Sequence, residues 1–235
     1  MEKHIFILSG QSNMSGRGGV KNNQWDGIVP PQCLPNAAIH RFTADLKWIS
    51  ANEPLHVDID TKAVCGVGPG MSFANAVIKD VMGQVGLIPC AVGGTAIEEW
   101  ARDSDLYENM IKRSKAAAEC GGKIRALLWY QGETNTSSQH YVDTYKQNMQ
   151  GLIRNLRQDL NLPELPIIQV AIASGHEEYM EKIRDIQKAI DMNNVVCVDA
   201  KGLELTEDKM HLVTDACVEL GQMLAHAFLT HFVSN

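Results

Sequence analysis

Short apolar runs alternate along this chain with longer segments of helical spacing, and that alternation limits the fold more than any other feature. Runs at 4–9, 38–42, 84–91, 124–130, 166–172 and 195–199 are rich in Ile, Val and Leu and flanked by Gly, Pro or Asn. Their length and flanks read as buried strands. Between them, 70–81, 104–120, 138–159, 178–192 and 212–231 have the pattern of docked helices. In the last, Val213, Ala216, Cys217, Leu220, Leu224, Ala227 and Phe228 trace an i, i+3, i+4, i+7 stripe. Tyr141, Tyr145, Met149, Leu152 and Leu156 do the same in 138–159. Strands alternating with helices predict an α/β fold, a three-layer α/β/α sandwich around a central parallel sheet. No linker or repeat divides the 235 residues, so a single domain over 1–235 is expected. The long irregular stretch at 15–69, with Gly16, Gly18, Gly19, Gly27, Pro30, Pro31 and Pro35, interrupts the alternation. A loop of that length inside a compact domain usually shapes a functional cleft.

Charge and cysteine usage remove several classes of function. The net charge is −7, with no basic run, and nucleic-acid binding needs clustered Lys and Arg. No apolar run approaches the ~20 residues of a membrane-spanning helix. The chain enters its first strand directly after Met1-Glu2-Lys3, without the apolar core of a signal peptide, which predicts a cytoplasmic protein. The six cysteines, at 33, 65, 90, 120, 197 and 217, form no Cys-x-x-Cys pair and read as free thiols. The eight histidines include no His-Glu-x-x-His, so neither a metal nor any other cofactor is expected.

Three segments carry chemistry. In Ile5-Phe6-Ile7-Leu8-Ser9-Gly10-Gln11-Ser12-Asn13-Met14, an apolar strand runs into a turn that displays Ser12. The carboxyl ends of parallel strands are where α/β proteins bind ligands. In Asp208-Lys209-Met210-His211-Leu212, an Asp three residues before a His can accept from Nδ1 and leave Nε2 free. That is the base and orienter of a triad. Trp129-Tyr130-Gln131-Gly132-Glu133-Thr134-Asn135 ends another apolar run, presenting an amide side chain.

Together these segments resemble the SGNH hydrolase superfamily, in its carbohydrate esterase branch of sialate O-acetylesterase-like and acetylxylan esterase-like proteins. Gly10-Gln11-Ser12-Asn13-Met14 matches the nucleophile block, and Gly93-Gly94-Thr95-Ala96-Ile97 with Trp100 the glycine block. Trp129 through Glu133 matches the third block and Asp208 through Leu212 the Asp-x-x-His block. The third block usually supplies an Asn as oxyanion donor, and Gln131 stands in its place here. The resemblance implies a flavodoxin-like sheet, a Ser12–His211–Asp208 triad and oxyanion donors among the Ser12 N–H, Gly93 or Gly94 and the Gln131 amide. Asn13 and Glu133 are expected beside them, either tying loops together or touching substrate. Its implied substrate is an acetylated carbohydrate, glycoside or small metabolite. A lipase or thioesterase of longer acyl chains and a silent carbohydrate-binding homologue are the alternatives. Arg184 and Gln187 are expected on a solvated helix face. Trp100, Trp129 and Tyr130 suit either a sugar platform or core packing.

Overall fold

The structure, a computed structural model, describes residues 2–233. Among these residues nine strands form, β1 (Lys3–Gly10), β2 (Val20–Lys21), β3 (Gln24–Trp25), β4 (Ile39–Phe42), β5 (Trp48–Ser50), β6 (Gln84–Pro89), β7 (Lys123–Tyr130), β8 (Ile167–Ala171) and β9 (Val195–Asp199). The α-helices are α1 (Ser12–Ser15), α2 (Pro69–Val77), α3 (Asp105–Glu119), α4 (Gln139–Asp159), α5 (Glu177–Lys188) and α6 (Thr214–Phe232). Seven strands make one sheet in the order β5-β4-β6-β1-β7-β8-β9, and β2 and β3 make a separate two-stranded sheet.

The α/β architecture expected from the alternation is present, with one correction to its parallel sheet. The edge strand β5 runs antiparallel to β4. Trp48-Ile49-Ser50 is too short to stand out, and a tight turn in which Thr43 bonds Lys47 and Leu46 adopts φ 59° folds it back. From β1 the chain first passes to β4 and β5 on one side of the sheet, returns through α2 to β6, and then crosses through α3, α4 and α5 to β7, β8 and β9 on the other side. α2 packs against α6, and α4 against α5. Phe6 of β1 packs edge-on against Phe73 of α2 and Phe228 of α6, at 4.8 and 4.9 Å. These rings join α2 and α6 into one layer.

The two crossover directions meet at β1, between β6 and β7. At such a switch point the connections diverge and leave a crevice beyond the carboxyl ends of the strands. The closeness of β1 and β7 there depends on Gly10. At φ 124°, a Cβ on this residue would lie 2.0 Å from the Tyr130 carbonyl oxygen. Gly10 lets the chain leave β1 flush against β7 and start α1 at once, with Ser12 as its first residue.

Candidate active site

Ser12 is 5% exposed at the foot of α1. Its Oγ lies 3.0 Å from Nε2 of His211, and Nδ1 of His211 lies 2.6 Å from Oδ2 of Asp208. The segment carrying His and Asp is a tight loop closed by the Leu205–Leu212 bridge. Asp208 shapes that loop from within, because its Oδ1 accepts from the Thr206 hydroxyl and from the N–H groups of Met210 and His211 at 2.7–2.9 Å. Partial burial alone would raise the Asp208 carboxyl. The Thr206 hydroxyl, the two N–H groups and the imidazole outweigh it and hold the group well below the usual carboxylate range. It is therefore ionised, the state that keeps the Nδ1–H tautomer of His211 and leaves Nε2 as the basic nitrogen.

Asn13 fixes this loop to the serine. Its Oδ1 accepts from Leu212 N–H at 2.9 Å, and its Nδ2 donates to Met210 C=O at 3.1 Å and Glu133 Oε1 at 2.8 Å. The residues on either side of His211 are thus held by the neighbour of Ser12. Glu133 is 2% exposed, and its Oε2 has no described partner. Burial pushes its carboxyl up to about 7 against the opposing Asn13 bond.

Ser12 and His211 open on a cleft of about 430 Å³, whose walls include Arg17, Asp60, Gly94, Glu133 and His176. Arg17 and Asp60 form a buried ion pair at 2.5 Å. Asp60 Oδ2 also accepts from Ser15 Oγ and from the backbone N–H of Gly93. A Cβ at Gly93 would sit 2.7 Å from the Arg17 guanidinium. Gly93 thus serves the ion pair, and its N–H is already used. None of the described hydrogen bonds uses the backbone N–H of Ser12 or Gly94. Gly94 is exposed in the cleft at φ 72°.

The geometry corrects the expectation for Gln131. That side chain is fully buried, and its Nε2 faces Asn135 Oδ1 at 2.7 Å, Thr95 C=O at 3.0 Å and Gln11 Oε1 at 3.3 Å. Its Oε1 accepts from Tyr145 Oη. Its amide protons point into the protein, so Gln131 has none to offer an oxyanion. Arg184 and Gln187 are corrected too, each being 1% exposed. Arg184 donates to Asp199 and to the Ile172 carbonyl, while Gln187 bonds the Gln131 carbonyl and Tyr145. Trp100, Trp129 and Tyr130 are core residues, the two tryptophans edge-to-face at 5.3 Å. Sequence reasoning missed Gln11, Arg17 and Asp60. Gln11 lies inside the nucleophile block and its Oε1 gathers N–H groups from Gly132 and Thr134. Arg17 and Asp60 are 43 residues apart in irregular chain, where no periodicity signals a pairing. The cysteines are free thiols, and no cluster able to hold a metal occurs among the described residues. No described helix is long and apolar enough to cross a membrane.

The chain is 58% identical to a probable carbohydrate esterase of Arabidopsis thaliana, over 97% of this chain and 91% of that protein. A crystal structure of an Arabidopsis thaliana protein superposes with TM-score 0.95 at 58% identity, covering 97% and 98% of the two chains. NanS, at 15% identity and TM-score 0.76 over 97% of both chains, shares the fold. So does a carbohydrate acetylesterase of Xanthomonas citri, at 17% identity and TM-score 0.73 over 97% of this chain and 56% of that one. Residues 2–230 match the family described as carbohydrate esterase, sialic acid-specific acetylesterase, and the chain belongs to that family.

Proposed function

We propose that the protein is a serine esterase that removes acetyl groups from a carbohydrate or a small glycoside. One observation carries this reading: an unbroken Ser12–His211–Asp208 hydrogen-bond chain whose serine end opens on a cleft of about 430 Å³. Ser12 Oγ attacks the ester carbonyl as His211 Nε2 takes its proton. The imidazolium is stabilised by ionised Asp208 and returns the proton to the departing alkoxide. Water, activated by the same nitrogen, then releases acetate from the serine ester. The developing oxyanion takes donors from the Ser12 and Gly94 N–H groups, since Gly93 serves Asp60 and Gln131 is turned inward. Each such donor is worth about 3–4 kcal/mol of barrier.

The cleft walls favour a short acyl group. Arg17, Asp60, Lys62, Glu133 and His176 contribute polar side chains, and Ala63 and Met210 are the apolar ones beside them. A buried methylene in an apolar tunnel would gain about 0.8 kcal/mol; Ala63 and Met210 alone do not wall such a tunnel. On p-nitrophenyl esters, kcat/KM is expected to fall from acetyl to butyryl to octanoyl, with about a tenfold first step, or ~1.4 kcal/mol. An optimum at butyryl or longer would overturn the deacetylase reading and favour a lipase-like enzyme.

A further inference from the structure

The cleft does not end at His211. On the far side of that imidazole lies a cavity of about 250 Å³, lined by Arg17, Asn22, Asn23, Ala63, Thr206 and His211. It shares Val20, Asn22, Thr206 and Asp208 with a third of about 700 Å³, between the β2–β3 hairpin and the 204–208 segment. Shared lining residues set the three side by side, as a groove from Ser12 past the His–Asp pair to the hairpin.

The hairpin is an organised wall. Val20 pairs with Trp25 and Lys21 with Gln24, leaving the two-residue turn Asn22-Asn23 at φ 51° and 58°. Two successive residues at positive φ make a type I′ turn, the twist that suits a short hairpin. The Gly18–Val67 bridge fastens its base, and Lys21 reaches Glu207 across the groove at 3.1 Å. At the tip, Asn22 and Asn23 are exposed, and none of the described hydrogen bonds uses their side-chain amides. Each offers two donors and one acceptor, the complement that hydroxyl groups take.

Acyl transfer fixes the direction in which substrate lies. The leaving oxygen must come within hydrogen-bond reach of His211 Nε2, while the carbonyl oxygen faces the Ser12 and Gly94 N–H groups. The alcohol half therefore lies on the His211 side, where the groove leads away beneath Asn22 and Asn23. We propose that this groove is a subsite for further sugar units of an acetylated oligosaccharide, held at the hairpin tip by Asn22 and Asn23. The proposal rests on the esterase reading and extends it from a single sugar to a chain.

The test uses the double variant Asn22→Gly/Asn23→Gly, because glycine keeps the positive-φ turn and removes both amides. Three substrates separate the effects: p-nitrophenyl acetate, a monoacetylated glucose and a monoacetylated cellotetraose. The intact protein is expected to prefer the tetrasaccharide over the monosaccharide by about tenfold in kcat/KM. The variant is expected to lose that preference through KM and to hydrolyse p-nitrophenyl acetate within about twofold of the parent rate. Equal rates on mono- and tetrasaccharide, a preference that survives in the variant, or an equal loss on all three would overturn the proposal. A readout independent of turnover uses Ser12→Ala with unacetylated cellotetraose, xylotetraose and mannotetraose. At least one should shift the Asn22 and Asn23 side-chain amide resonances, even if the esterase reading fails. No shift with any of the three would overturn the subsite and leave the triad untouched.

Discussion

The ends of β1 and β7 lie side by side, with Gly10 paired to Tyr130, and each delivers a polar residue two or one positions later. Their fates are opposite. Ser12 opens on the cleft, and its hydroxyl meets an imidazole held by a half-exposed carboxylate. Gln131 disappears into the protein, where its amide joins Gln11, Thr95, Asn135 and Tyr145. Position at a strand end marks both equally. What separates them is whether the hydrogen-bonding capacity is already spent. A group whose donors and acceptors are all matched inside the fold holds segments together, and one facing water remains available to a substrate.

The sharpest way to break this comparison is at Ser12. Ser12→Ala is expected to lower kcat by on the order of 10⁵- to 10⁶-fold. Its Tm should stay within about 2 °C of the parent, because the change removes a single hydroxyl at the cleft. Retained turnover would transfer the nucleophile's role elsewhere. Next comes Asp208→Asn, expected to cost roughly 10³- to 10⁴-fold in kcat. An asparagine can present its NH₂ to Nδ1 and so favour the wrong tautomer of His211. Asp208 also organises the loop through Thr206, Met210 and His211. Amide exchange across 206–212 therefore tells a tautomer effect from a loosened loop: unchanged protection with lost activity supports the former.

Much of this was legible in the sequence because the relevant spacings are local. A strand followed by Gly10-Gln11-Ser12 and an Asp three residues before His211 need no long-range information, and the helical stripes of α4 and α6 are written in their own periods. The failures turn mainly on partners from elsewhere in the chain. The direction of the Gln131 amide is decided by Thr95 and Tyr145, on two other segments, together with Asn135 four residues on. Arg184 sits among charged residues in Glu177–Lys188 and looks solvated, yet it ends against Asp199 at the end of β9 and the Ile172 carbonyl. The Arg17–Asp60 pair joins two points of irregular chain. A side chain's partners across the sheet edge leave no periodic trace in its own neighbourhood.

On the sealed side, Gln131→Ala should act on stability first. It strips a partner from the Thr95 carbonyl, from Asn135 Oδ1 and from the Tyr145 hydroxyl, and it leaves a cavity. Unmatched buried polar groups and lost packing together cost about 2–3 kcal/mol, or roughly 5–10 °C in Tm for a chain of this size. Well below the new Tm, kcat should stay within about tenfold of the parent. A fall of several hundredfold in kcat at unchanged Tm would return Gln131 to the oxyanion and undo the contrast with Ser12.

Glu133 stands between the two regions, lining the cleft yet buried, with one oxygen on Asn13 and the other unpartnered. Its carboxyl is raised by burial from the ordinary 4.5 to about 7. The unfolded chain thus releases this proton more readily than the folded one, and stability tied to Glu133 is complete below about pH 4.5 and lost as pH rises through 7. Between pH 6 and 8 the loss amounts to about 1 kcal/mol. Glu53, also buried and raised to about 8, gives a similar downward slope, so the informative measurement is a difference. Denaturant unfolding of the parent and of Glu133→Gln at pH 6, 7 and 8 should show the parent declining more steeply. The glutamine keeps an acceptor for the Asn13 amide and cannot ionise. Parallel slopes would mean that Glu133 ionises freely in the folded protein. It would then belong with the open, water-facing side of the site that Ser12 represents.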